Sequence, residues 1–140
     1  MKILIDTNVI IDILEKRELF FDDSYMTVQL GLEGKIETFM SASAITDVYY
    51  ILYRSLHNKE KAKEKIFALT NLVNICNTTN DDITNALVLF INDFEDAVTA
   101  SIAKREKANY IITRNERDFI NSPVPAINPS HFLQIFEAAD

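Results

Sequence analysis

Four stretches of this chain, KILID (2–6), IETFMS (36–41), VNICNT (73–78) and NYIITRN (109–115), are each read as a largely apolar run in place of a strictly alternating one. A strand with one wet face alternates, whereas an unbroken run is buried on both faces, which is the condition of strands in a parallel sheet. Parallel strands need crossovers, and the intervening segments supply them as helices with apolar residues at three and four spacing. The chain is therefore expected to be an α/β protein: three layers, α/β/α, around a central parallel sheet of four to five short strands.

The crossovers can be placed. NVIIDILEK follows the first strand as a helix that Thr7 or Asn8 caps. A second helix covers about 23–33, with Tyr25, Val28 and Leu32 on one face and Gly34 at its C-terminal end. SASAITDVYYILYRSL begins at Ser41 or Ser43, and NKEKAKEKIFALTNLV is capped by Asn58. NDDITNALVLFI and DFEDAVTASIAKREKA give two more helices. PAIN adds a short edge strand, and Asn128 with Pro129 as first helical residue starts a final helix through Phe136.

At 140 residues the chain is read as one domain, 1–140. No apolar run approaches the roughly 18 residues of a membrane helix, and Asp6 and Asp12 interrupt any secretory segment, so a cytoplasmic protein is expected. The single Cys76 sits in an apolar stretch and reads as a buried, reduced thiol.

Glycine poverty excludes whole functions. Phosphate-cradling loops and dinucleotide fingerprints need two or three glycines after a strand, and the chain has two glycines in all, Gly31 and Gly34. His57 and His131 show neither metal-ligand nor triad spacing. The formal net charge of -7 argues against a broad nucleic-acid-binding face, yet it suits a carboxylate cluster that a cation neutralises.

Carboxylates are the remaining candidates. In an open parallel sheet ligands bind beyond the carboxyl ends of the strands, near the point where strand order reverses. Asp6 ends the first strand; Thr113, Arg114 and Asn115 end the fourth, with Asp118 one turn later. Asp47 interrupts the apolar side of ITDVYYIL, where an unpaired acid is costly. Asp96 stands in the first turn of DFEDAVTASIA. Converging carboxylates raise one another's pKa unless a hard cation sits between them, so Asp6, Asp47, Asp96 and Asp118 are candidate ligands for Mg²⁺ or Mn²⁺. Such a site supports phosphodiester hydrolysis. Helix capping by Asp6, a capping box from Asp93 to Asp96 and a turn role for Asp118 explain the same residues singly; only the joint pattern points to a site.

ILIDTNVIIDIL, SASAITDVYYIL, DFEDAVTASIA and ANYIITRNERDF occur in the order and spacing of a PIN domain, and the chain resembles the VapC-type ribonucleases. The resemblance implies a metal-dependent endoribonuclease, the toxin of a toxin-antitoxin pair, with RNA as substrate, a small antitoxin as partner and a homodimer as assembly. It carries catalytic roles to Asp6, Asp47, Asp96 and Asn115, with Asn8 and Thr113 orienting the cluster. Two positions depart from the pattern, Asp47 where Glu is usual and Asn115 where Asp is common, and Asp118 is the compensating acid. One tight ion and a second recruited with the RNA phosphate are expected. Arg114 and Arg117 flank the site as phosphate contacts. The competing expectation, kept open by the two departures, is a degenerate PIN domain that binds RNA or protein without cutting.

Overall fold

The computed structural model describes residues 1–139. Their strands are β1 (Lys2–Ile5), β2 (Glu37–Ser41), β3 (Asn74–Cys76), β4 (Tyr110–Ile112) and β5 (Ala126–Ile127). The helices are α1 (Thr7–Leu14), α2 (Phe21–Leu32), α3 (Ala42–Leu56), α4 (Lys59–Thr70), α5 (Asn80–Ala86), α6 (Phe94–Arg105) and α7 (Pro129–Ala139), with a 3₁₀ turn over Glu116–Phe119. All strand pairs are parallel, and the order across the sheet is β3-β2-β1-β4-β5. The expected α/β architecture is observed, with PAIN as the fifth strand.

Strand order explains where a site must lie. From β1 the chain steps outward to β2 and β3, then returns to place β4 on the other side of β1, so the reversal falls between β1 and β4. Ile5 pairs with Ile112, and Asp6 and Thr113 come next. A crevice opens there because the crossovers leave in opposite directions.

Successive strand side chains point to opposite faces, and both faces are packed. Ile3, Ile5, Met40 and Ile112 enter one core with Val9, Ile10, Val48, Leu52 and Phe132 from the helices. Leu4, Phe39 and Ile111 enter a second core with Ala97, Ala100 and Ile102 of α6. Truncating a fully buried member such as Ile10 to Ala costs about 2–5 kcal/mol.

Three local expectations change. α1 is capped by Asp6, whose side chain accepts from Thr7 N, and by neither Thr7 nor Asn8. In α2 the buried face is Ser24, Thr27 and Val28, while Tyr25 and Leu32 are exposed. The reason is close approach: a Cβ on Gly31 would lie 2.5 Å from Thr38 Oγ1, so this helix lays its small residues, not its large ones, on β2. Gly34 takes the left-handed conformation (φ 74°) that ends α2.

α5 stops at Ala86, five residues short of the expected end. Beyond it Leu89 and Ile91 pack on the second core while Val88 and Phe90 are exposed. That two-residue alternation cannot be met by a continued helix. The thiol of Cys76 is free and half-buried, and burial, with Glu106 and Asp82 nearby, pushes its pKa up. Among the described residues no helix is long and apolar enough to cross a membrane.

Candidate active site

A groove of about 490 Å³ opens over the carboxyl ends of β1 and β2. Asp6, Asn8, Asp47, Asp96 and Asn115, five of the expected site residues, line it together. Each arrives from a different local device. Asp6 is the residue at which β1 becomes α1. Asp47 lies half-buried in the second turn of α3, which starts where Ser41 caps it by accepting from Ala44 N at 3.2 Å. Asp96 is in the first turn of α6, its amide donating to the cap Asp93 at 3.0 Å. Asn115 leaves β4 immediately before the 3₁₀ turn.

Asp6 serves as cap and as site residue at once. Its Oδ1 accepts from Thr7 N at 2.9 Å, and its Oδ2 accepts from Thr113 Oγ1 at 2.9 Å and Asn8 Nδ2 at 3.3 Å. Thr113 is fully buried, and its hydroxyl also accepts from Asn8 Nδ2 and Asn115 N, each at 3.1 Å. Asn8 and Thr113, the two residues to which the resemblance gives an orienting role, thus both donate to the Asp6 carboxylate.

Among the described residues no cationic side chain is bonded to this group: Arg17 also lines the groove but pairs with Asp12 and Glu15. Burial pushes the Asp6 pKa up, against the Thr113 and Thr7 hydrogen bonds that lower it, and Asp118 and Asp93 add repulsion. Burial first, then Asp6, Asp93, Asp118 and Glu95, raises Asp96 to about 7. Burial also raises Asp47. Asp118 and Arg117 are not in the main groove; they line an adjoining cleft that shares Asp96 with it. Arg117 makes no hydrogen bond or ion pair through its side chain among the described residues.

Glu95 escaped the sequence reading. It lines the groove, and the charge of Asp47 is the largest cause raising its pKa, followed by burial and by Asp93 and Asp6. The signal was present as three acids within DFED, of which Asp96 was read as a site residue and Asp93 as a helix cap, and Glu95 was given no role.

Arg114, expected as a phosphate contact, is paired within the protein. Its Nε donates to Asp12 Oδ2 at 2.5 Å and its Nη2 to Asp12 Oδ1 at 3.2 Å, and the Phe20 ring covers it, 4.1 Å from centroid to guanidinium carbon. Asp12 is 0% exposed, and a lone buried carboxylate there would be prohibitively costly, which is why the guanidinium turns inward.

Among the described residues no three of His, Cys, Asp and Glu are gathered into a preformed metal shell. The donor set nonetheless fits a hard divalent cation in kind: all oxygen, three uncompensated carboxylates plus Glu95, each with a raised pKa.

Comparison with known proteins agrees with this geometry. Over 138 residues, 95% of this chain and 94% of the relative, the sequence is 27% identical to ribonuclease VapC1 of Aquifex aeolicus (strain VF5). The fold is similar to that in the crystal structure of VapBC2 from Rickettsia felis bound to a DNA fragment from their promoter, with a TM-score of 0.73 at 20% identity over 91% of this chain and 98% of that one. It is also similar to VapC20 of Mycobacterium tuberculosis, a sarcin-ricin loop cleaving toxin, with a TM-score of 0.61 at 15% identity over 78% of this chain and 86% of that one. Residues 2–117 match the sequence model of the PIN domain. The chain belongs to the PIN domain family.

Proposed function

We propose that this protein is a metal-dependent endoribonuclease and the toxin of a toxin-antitoxin pair, acting in the cytoplasm as a single nuclease domain. The observation that carries the reading is the uncompensated acidity of the groove: Asp96 at about 7 and Asp6 and Asp47 raised, with no cationic side chain bonded to any of them. Capping accounts for Asp6 singly, but not for three unpaired acids meeting in one groove, and taking up a cation is the use such an arrangement suits. The similarity to ribonuclease VapC1 supports phosphodiester hydrolysis as the chemistry, and the small antitoxin partner and the homodimer are what the resemblance to VapC-type toxins implies.

Asp6, Asp47 and Asp96 would hold Mg²⁺ or Mn²⁺, with Asp118 reaching in from the adjoining cleft. When bound, the ion lowers the pKa of water and neutralises charge building on the phosphate oxygens. The residues of the chain do the rest. Thr113, Asn8 and Thr7 N–H fix both oxygens of Asp6, so that this carboxylate does not rotate as charge enters the groove. Asp96, whose pKa stands at about 7, would give up its proton to solvent on holding a cation. Asn115, neutral and lining the groove, would offer its side-chain carbonyl oxygen to a cation. Arg117, free beside Asp96 and Asp118, is the phosphate contact. In the reaction water adds to phosphorus, the bond to the leaving oxygen breaks, and the proton lost by water ends on solvent or that oxygen.

The test is cleavage of labelled tRNAs and single-stranded RNAs with Mg²⁺, Mn²⁺ or EDTA, by wild type, Asp6→Asn and Asp96→Asn. Metal-dependent cutting lost in both variants upholds the reading. The neutral Asn115 favours a second one, a degenerate domain that binds RNA or protein; Mn²⁺ and RNA binding without any cleavage would select it.

A further inference from the structure

Arg114 and Asp12 lie outside the acidic groove, yet their contacts end on it. Asp12 follows Asn8 by one turn on α1. Arg114 reaches both: its backbone N–H donates to Asn8 Oδ1 at 3.1 Å, and its guanidinium makes the two bonds to Asp12. Arg17 Nη1 adds a third donor to Asp12 at 3.3 Å. One residue is therefore tied to two points of the helix, so α1 can neither slide along the exit of β4 nor turn against it.

The neighbours of Arg114 are site residues. Thr113 before it donates to Asp6, and Asn115 after it lines the groove and donates its backbone N–H to Thr113 Oγ1. Asn8, which accepts from Arg114 N, donates to Asp6 and Thr113. Any rotation at 114 would move both side chains that bond the Asp6 carboxylate, Asn8 and Thr113. Core stability alone does not call for this pair, since apolar residues of similar volume often stabilise as much. What they lack is direction, and the planar guanidinium meeting both carboxylate oxygens supplies it.

We propose that the Arg114–Asp12 pair is a positioning clamp that locks the exit of β4 onto α1, holding Asp6, Thr113 and Asn115 in register, and that Arg114 acts on cleavage through Asp6 without touching RNA. This rests on the nuclease reading of the groove.

Three variants test it: Arg114→Lys, which keeps the charge and loses the fork; Arg114→Gln, which leaves Asp12 with Arg17 alone; and Arg114→Gln with Asp12→Asn, whose two amides face each other without a buried charge. Steady-state cleavage of a labelled tRNA pool, Mn²⁺ calorimetry and thermal melts are read for each, and Arg114→Lys guards against variants that fail to fold. The clamp predicts kcat down by about 10- to 100-fold in both single variants with KM within about twofold, Mn²⁺ affinity weakened in step, and at least tenfold recovery of kcat in the double variant relative to Arg114→Gln. A raised KM at unchanged kcat, equal in Arg114→Gln and the double variant, would make Arg114 an RNA contact and overturn the clamp. So would folded variants that match wild type. If wild type binds Mn²⁺ but cuts no RNA, the nuclease reading fails while weakened Mn²⁺ binding in Arg114→Lys still upholds the clamp and unchanged binding overturns it. A wild type that neither cuts nor binds Mn²⁺ removes both.

Discussion

Two acids in the first turns of neighbouring helices, one buried and one half-buried, have opposite fates. Asp82, 1% exposed in α5 near the β3 edge, receives Arg105 Nε at 2.8 Å and Nη2 at 3.0 Å and closes a capping box with Thr79. Burial pushes its pKa up, but the Arg105 and Thr79 hydrogen bonds and the Arg105 charge outweigh that, and it stands below the ordinary value. Asp96, in the first turn of the adjacent α6, has acids for neighbours and stands at about 7. The residue type is the same, so the difference lies in the company each keeps. A paired acid fastens the fold; acids left unpaired in a groove hold free energy that a cation or proton releases.

The largest effect should come from deleting the unpaired group. Asp6→Asn and Asp96→Asn each should lower RNA cleavage by on the order of 10²- to 10³-fold, as loss of a preorganised charge in a site does, with the fold retained by circular dichroism. Cleavage kept within tenfold would put the chemistry elsewhere.

Breaking the paired acid should do the reverse. Arg105→Gln strands Asp82 in the interior and should destabilise the protein by about 2 kcal/mol in urea denaturation, less than a fully buried pair because Arg105 is partly exposed. Cleavage per folded molecule should hold. Because the Asp82 pKa is depressed in the folded state, its contribution is present above the unfolded carboxylate pKa of about 4 and lost as pH falls through the lower folded value. The penalty of Arg105→Gln should therefore shrink in acid.

Asp96 brings pH into metal binding. Below about 7 a cation must displace its proton, so Mn²⁺ affinity measured by calorimetry should rise by up to about tenfold per pH unit towards 7 and level off above it. A flat profile between pH 5 and 8 would remove Asp96 from the ligands.

How much of this contrast could be read from residues alone follows from the range of each interaction. β1, β2 and β4 were legible because burial on both faces is written in consecutive residues, whereas β3 lies at the sheet edge with Asn74 and Ile75 exposed, against that expectation. Asn58, Asn128 and Pro129 mark helix starts within one turn. Asp6, Asp47, Asp96 and Asn115 were legible through family resemblance and the strand-end argument, and one groove does contain them. Asp12 was invisible because its partner is 102 residues away, and without that contact Arg114 looked like a free cation. The face of α2 was misjudged because large apolar residues are taken to point inward, whereas Gly31 against Thr38 brings the helix too close for them.

The smallest effect sharpens the comparison most. Asp96 is a carboxylate whose folded pKa is raised, so the native state binds more protons than the unfolded one between about pH 4 and 7, and metal-free stability falls as pH rises through that window. Above pH 7 the full cost of the ionised group is present. Asp96→Asn removes that charge, so it should stabilise the metal-free protein at pH 8 by about 1 kcal/mol, a figure kept small because the group is half exposed to screening water. At pH 4.5, where Asp96 is protonated in the wild-type fold, the gain should vanish. Melting curves at the two pH values, with EDTA, check both halves. A variant that is inactive yet more stable at pH 8 would mean that the acid is retained at a cost to the fold, as expected of a site residue and not of a cap. Equal loss of stability at both pH values would instead make Asp96 a structural partner of α6, like Asp82 of Arg105, and the contrast between the two acids would fail.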